Sequence, residues 1–172
     1  MDRTNFKHKK IYISKSRIDG FGLFASKDIK KGETVAIIKG ELVHWVVKDM
    51  KTAMYGEDWI GIKKNLWIDP AVPFKYLNHS CHPNSAIKGT VTVVALKHIK
   101  QGEEITLDYS TIESEKLWYM RCLCKSDRCR KVVRSVQFLP KSFFDNYLPH
   151  IPKFFQTAYH RHHANKRAQP TK

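Results

Sequence analysis

Acidic residues are scarce in this chain: 16 Asp and Glu stand against 31 Lys and Arg, a formal net charge of +15 over 172 residues. Such a balance points to polyanionic partners such as DNA, RNA or ribosomes, with a merely soluble basic surface as the plain alternative. Long apolar runs are missing too. No stretch approaches the roughly 18 residues of a membrane span, so no membrane partner is expected. No apolar segment of signal-peptide length follows the basic start, which carries Arg3, Lys7, Lys9 and Lys10. The expectation is an intracellular, reducing location, in the cytoplasm or associated with nucleus or chromosome. Repeats of solenoid length are absent, as are collagen and coiled-coil compositions. Cysteine is limited to four residues, Cys81, Cys122, Cys124 and Cys129. In a secreted chain they could form two disulfides, but in a reducing compartment metal binding gains ground.

What is present suits one soluble domain: 42% hydrophobic and 27% charged residues. Residues 10 to 110 read as short strands cut by turns. Lys10 to Ser14, Gly22 to Ala25 and Thr34 to Ile38 are candidate strands. Val46 to Tyr55 reads as a short helix, and Ile60 to Ile68 as a hairpin around Lys63-Lys64-Asn65. Thr90 to Leu96, rich in β-branched residues, is a strand, and Glu104 to Tyr109 another. Glu113 to Arg121 fits a short helix. A strand-like Val132 to Leu139 and a helix opening at Pro140-Lys141-Ser142 follow, that helix carrying Phe143, Phe144, Tyr147 and Leu148 on one face. A second helix spans about Lys153 to Tyr159. The basic stretch from His160 to Lys172 lacks apolar periodicity and reads as a disordered tail.

Cys122-x-Cys124-x4-Cys129 puts three thiols in one tight turn. Tetrahedral zinc needs four ligands, and Cys81 is the one thiol left for the fourth corner; four unrelated reduced cysteines is the other reading. Cys81 lies in Asn78-His79-Ser80-Cys81-His82-Pro83-Asn84, a stretch dense in short polar side chains that can hold a loop by bonding neighbouring backbone. It also reads as a polar surface turn, with His79 and His82 as further possible ligands.

Asn-His-Ser-Cys-x-Pro-Asn resembles the signature of SET-domain lysine methyltransferases. Arg17 to Ala25, with Gly20-Phe21-Gly22, is similar to the family's opening G-x-G motif. Gly102 to Tyr109 is similar to its G-E-E-L-x-x-D-Y motif, and Cys122 to Arg130 to the post-SET C-x-C-x4-C-R segment. The four occur in the family's order over about residues 8 to 135. The resemblance implies a mainly β fold with short helices (α+β), built of several small sheets with a knot-like core. It divides the chain into a basic tail (1–9), a SET domain (10–111), a post-SET zinc segment (112–135), C-terminal helices (136–159) and the tail (160–172).

The implied activity is transfer of a methyl group from S-adenosylmethionine to the ε-amine of a protein lysine. The implied metal is one structural zinc held by Cys81, Cys122, Cys124 and Cys129. The implied partner is a protein with an exposed lysine, such as a histone tail, a histone-like protein or a ribosomal protein; non-specific nucleic acid is a further candidate. Such a transfer is an in-line displacement, so the enzyme must chiefly align a neutral amine with the sulfonium carbon. By the resemblance Gly20, Phe21 and Gly22 lie against the methionine end of the cofactor, and Asn78 and His79 meet its amino group and adenine. Lys75 stands where the family often has Arg. Trp118 and Tyr119 are candidates to pack on adenine, with ordinary helix core as the alternative. Tyr109 resembles the tyrosine whose hydroxyl lines the lysine channel, a catalytic role; a buried strand tyrosine is the plain alternative. Ile38 and Leu107 occupy channel positions that are commonly aromatic in the family, which implies a pocket with fewer hydroxyl groups. Substrate choice is then expected to come from this one domain's surface. The alternative is a zinc-stabilised nucleic-acid or chromatin-binding SET scaffold with little turnover.

Overall fold

The computed structural model describes residues 9–53 and 58–167. Expectations for residues 1 to 8, for Met54 and Tyr55, and for 168 to 172 fall outside the described residues.

Alternating apolar side chains start the fold. β1 (Ile11–Lys15) buries Ile11 and pairs antiparallel with β2 (Phe21–Ala25), Ile11 opposite Ala25. β2 also pairs with β9 (Glu104–Ile105), which completes a three-stranded sheet. A second sheet has β8 (Thr92–Ala95) between β3 (Thr34–Ile37) and β7 (Ser85–Lys88). A third has β6 (Leu66–Pro70) between β4 (Gly40–His44) and β5 (Ile60–Lys63). The β5–β6 hairpin turns where expected, with Asn65 in the left-handed region at φ 57°. β10 (Tyr119–Arg121) and β11 (Val132–Arg134) form a separate ribbon around the cysteines. The first three sheets enclose one core that includes Leu23, Ile29, Ile87, Val93, Ile99 and Ile105. Each of these is at most 2% exposed, so each contributes roughly 1.5–3 kcal/mol of transfer free energy.

Apart from the C-terminal stretch, four segments depart from the sequence pattern, one of them the strand read as Val132 to Leu139, which stops at Arg134 and gives way to a 3-10 turn over Val136–Phe138. Only Met50–Ala53 is helical (α1) in the described part of the stretch read as Val46 to Tyr55. The strand read as Glu104 to Tyr109 stops at Ile105. Leu107 instead forms a parallel bridge with His79, its N–H donating to Asn78 O at 3.0 Å while Ser80 N–H donates to Leu107 O at 2.8 Å. Tyr109–Thr111 then forms a 3-10 turn capped by the Asp108 carboxylate. The helix expected over Glu113 to Arg121 does not form: Trp118 turns back on Glu115 and Tyr119 enters β10.

A second apolar cluster joins the C-terminal elements. Val136, Leu139, Phe144, Ile151, Phe155 and Tyr159 pack between a 3-10 turn (Val136–Phe138), α2 (Lys141–Tyr147) and α3 (Lys153–Arg167). The stretch expected as a disordered tail from His160 is thus helical through Arg167. Histidine rings hold it down: His160 lies 5.3 Å from Phe144 and His162 5.4 Å from Phe138, both edge to face, and His163 lies tilted 4.3 Å from Tyr159. These side chains count as polar in a hydropathy pattern but present flat, partly apolar faces in a structure. No helix among the described residues is long and apolar enough to cross a membrane.

Candidate functional site

Cys81 follows the His79–Leu107 bridge, and the ribbon β10–β11 delivers the other three thiols to it. All four Sγ atoms lie within 4.8 Å of one another, with Cys81 and Cys122 at 3.7 Å. Tetrahedral zinc with Zn–S near 2.3 Å would set its sulfurs about 3.8 Å apart, so the set fits the ion. Lys125 and Lys131, at φ 53° and 64°, bend the loop left-handed on both sides of Cys129. Burial pushes the Cys81 and Cys122 thiols up, so a cation is what would let them ionise together. Arg130 N–H donates to Cys81 Sγ at 3.3 Å and Cys81 N–H to Cys124 Sγ at 3.5 Å. His82 is outside the cluster.

His79 binds the cluster to the rest of the site. It is 3% exposed, and burial first, then the Arg130 charge, holds it down at about 3. It is therefore neutral, and the Asp108 carboxylate 3.8 Å from Nδ1 makes no ion pair with it. Nδ1 accepts the Tyr109 N–H at 3.2 Å, which places the ring proton on Nε2, 3.3 Å from Cys81 Sγ. Asp108, 2% exposed, accepts from Arg130 Nη2 at 2.6 Å and from Ser110 N–H at 3.1 Å. One line of contacts thus runs from thiols through His79 and Arg130 to the backbone that carries Tyr109.

Tyr109 is the hinge of the site. Its hydroxyl donates to Leu77 O at 2.7 Å, and its ring lies 5.3 Å from His79. Burial pushes the phenol well above its ordinary range, so it stays neutral. With its one proton engaged, its oxygen can only accept toward anything that arrives beside it. Tyr109 lines two cavities, as do Asp58, Lys75 and Trp118.

The wider cavity, about 360 Å³, is a cleft between Ile18 and Asp19 on one side and Tyr119, Arg121 and Leu123 on the other. That volume lies within the ~300–1,000 Å³ typical of small-molecule sites. Lys125 Nζ reaches across to Arg17 O at 3.3 Å, so the cysteine segment clasps the opening loop. Of the residues expected at the cofactor, Lys75, Asn78, His79, Tyr109 and Trp118 line this cleft. Gly20, Phe21 and Gly22 do not line it; they shape the loop that presents Ile18 and Asp19. Gly20 sits at φ 42°, which favours glycine, and a Cβ on Gly22 would come within 2.3 Å of Glu104 Oε1, so a side chain there would push that carboxylate off Ser16 and Asn78. Asn78 Nδ2 holds the turn closed, donating to Phe21 O at 3.0 Å and Glu104 Oε1 at 2.8 Å. Trp118 packs against Cys81, Cys122 and Val133 rather than in a helix.

The narrower cavity, about 40 Å³, passes Leu107, Tyr109 and Phe74 and is walled by Trp45, Trp59 and Trp67. Trp59 lies 6.2 Å from Trp45 and 6.5 Å from Trp67. Three carboxylates belong to it: Asp58, Glu113 and Glu115. Glu113 is buried, its carboxyl pushed up to about 7 by burial, although it accepts the Ser114 and Glu115 N–H groups at 2.6 and 2.7 Å. Leu107 lines the narrow cavity. Ile38 does not: it is 3% exposed in the main core and its N–H is spent on Val91 O. Sequence reasoning missed the tryptophan wall, although three of the four tryptophans fall within residues 45 to 67. It also gave no role to Asp108 and Arg130, which lay inside quoted motifs.

A family model described as the SET domain matches residues 20–110, more than half of the chain, and the chain belongs to the SET-domain family. Histone-lysine N-methyltransferase trithorax of Drosophila virilis is 36% identical over 135 residues, covering 69% of this chain and 3% of that protein. Human histone-lysine N-methyltransferase SETD1B is 31% identical over 146 residues, covering 75% and 7%. The chain thus spans less than a tenth of the length of these relatives. Among solved structures, KRYPTONITE in complex with mCHG DNA and SAH superposes with a TM-score of 0.57 at 21% identity, over 76% of this chain and 30% of that one. That likeness concerns the fold, which is the small-sheet α+β architecture described above.

Proposed function

We propose that this chain transfers a methyl group from S-adenosylmethionine to the ε-amine of a lysine in a protein substrate. The observation that carries this reading is Tyr109 between two cavities of different shape. One is a cleft of small-molecule size, and the other a narrow aromatic passage that a lysine side chain would fit. S-adenosylmethionine would lie along Asp19, Asn78, His79 and Trp118 and would supply an electrophilic methyl group. Asp19 offers a carboxylate to its amino group, and Trp118 and Tyr119 offer faces to its adenine. The tryptophan wall would desolvate the aliphatic stem of the lysine. Once the lysine has lost its ammonium proton to water, the phenol of Tyr109, committed as donor to Leu77 O, would accept a hydrogen bond from the amine and hold its lone pair in line with the methyl, the new N–C bond forming as the C–S bond breaks and S-adenosylhomocysteine leaves. Zinc in the four-thiol set would fix the ribbon that forms one wall of the cleft.

The partner would be a protein with an exposed lysine; histone, histone-like and ribosomal proteins are the candidates, and a cytoplasmic or a nuclear, chromosome-associated location would go with them. The names of the trithorax and SETD1B relatives support histone among them. The net charge of +15 favours a second role as a non-specific nucleic-acid binder, which would weaken steeply with salt as counterions are released. The test of the main reading is labelled methyl transfer to lysate proteins and core histones, followed by amino-acid analysis. Label in methyl-lysine is expected. Binding of S-adenosylmethionine without any transferred label would contradict it.

A further inference from the structure

Val47 and Glu115 line both the narrow cavity and a broad groove of about 850 Å³ beyond it. Four cations edge that groove: Lys64, Lys116, Lys153 and Arg161. All four are exposed, and none forms an ion pair among the described residues. They come from the β5–β6 turn, the turn before β10, and α3, so no single stretch of sequence displays the cluster. Apolar surface is interleaved with them, at Val47, Leu117 and Phe154.

Charge therefore reverses along one continuous path. At the narrow cavity the carboxylates of Asp58 and Glu115 outnumber one cation, Lys75, with the buried Glu113 carboxyl behind them, a balance suited to the ammonium of an arriving lysine. In the groove beyond, four cations face one carboxylate, Glu115. A ligand that fills both must be positive at one end and negative at the other. Val47 and Glu115 border both, so one polypeptide segment can reach from one to the other. The apolar patches suit side chains of a polypeptide better than a phosphate backbone, whose contacts are cationic and polar.

We propose that the groove holds acidic residues flanking the acceptor lysine, so that the preferred substrate is a polypeptide segment pairing Lys with neighbouring Asp or Glu. This rests on the methyltransferase reading and narrows it: a uniformly basic tail would meet repulsion in the groove. Electrostatic complementarity of this kind sets specificity and encounter rate more than total affinity.

The experiment measures binding apart from chemistry. Fluorescent lysine peptides that differ only in flanking residues, acidic or basic, are titrated by anisotropy against the full zinc-loaded chain with S-adenosylhomocysteine present. The acidic-flanked peptide should bind about tenfold more tightly, and the preference should shrink as salt rises. Lys116→Glu with Lys153→Glu should lower acidic-peptide affinity about tenfold. Lys27→Glu with Lys97→Glu, cations that line none of the cavities, should leave it unchanged. Equal binding of both peptides, or loss with the Lys27/Lys97 pair as well, overturns the proposal. So does a single-stranded oligonucleotide that binds and is lost with the groove variants while the acidic peptide is unaffected. If the acidic preference is found but no methyl is transferred to any peptide, the groove stands and the enzymatic reading falls.

Discussion

Replacing Arg130 by Met should destabilise this protein far more than loss of a surface charge. Its guanidinium holds Asp108 at 2.6 Å, and the Asp108 side chain is only 1% exposed against 14% for Arg130. Removing one partner of a buried ion pair strands the other charge, which costs about 3–5 kcal/mol. The slight exposure of Arg130 argues for the lower end. The same change removes a cation 5.7 Å from the Phe143 ring, worth about 0.5–1 kcal/mol, so roughly 3–4 kcal/mol is expected in total. That is a large part of the ~5–15 kcal/mol that stabilises a typical domain. Adding Asp108→Asn to Arg130→Met should return about 2 kcal/mol, because a neutral amide is cheaper to bury and can still accept from Ser110 N–H. Denaturant unfolding at neutral pH with saturating zinc gives all four corners of the cycle. A loss under about 1 kcal/mol for Arg130→Met, or further loss on adding Asp108→Asn, would refute the reasoning.

Metal analysis of reduced protein should find one zinc per chain, and chelation should speed hydrogen exchange over residues 118 to 134; zinc content near zero in the reduced protein would contradict the site. Glu113, with an ordinary value of 4.5 raised to about 7 by burial, binds its proton more tightly folded than unfolded. Stability should therefore fall as pH rises from about 4.5 to 7, by about 3 kcal/mol in the limit, and Glu113→Gln should flatten that slope in pH-dependent unfolding; parallel slopes would show that the buried carboxyl is already ionised. With Leu107 at the narrow cavity and Tyr109 the one tyrosine among the described residues that line it, an added methyl displaces little ordered water. Di- or trimethyl-lysine should accumulate in time-resolved mass spectrometry, and Leu107→Tyr should shift products toward monomethyl; a wild type that stops at one methyl would contradict this.

The site was legible in sequence wherever its residues are close along the chain. Asn78, His79 and Cys81 announce a loop, and Cys122, Cys124 and Cys129 a metal turn, because local spacing alone brings their groups together. Glu113 to Arg121 misled because Leu117, Trp118 and Met120 mimic helical spacing, while Cys122 and Cys129 pull that segment into a ribbon. The resemblance puts Ile38 in the channel, yet just past the end of β3 it is buried in the main core, its N–H bonded to Val91 O. The Asp108–Arg130 pair and the cation-edged groove join residues far apart in sequence, and no periodicity encodes such meetings. His160 to His163 looked like tail because hydropathy ignores the rings that pack on Phe144 and Tyr159.

The most direct test of the central claim is steady-state methyl transfer by wild type and Tyr109→Phe, with S-adenosylmethionine affinity measured alongside by calorimetry. The phenyl ring keeps the packing against His79 and loses only the hydroxyl held by Leu77 O. The account expects kcat to fall by about 10²-fold or more with cofactor affinity changed less than about threefold, as for a group that acts in the transition state. An unchanged kcat, or a loss confined to cofactor binding, would remove Tyr109 from the reaction.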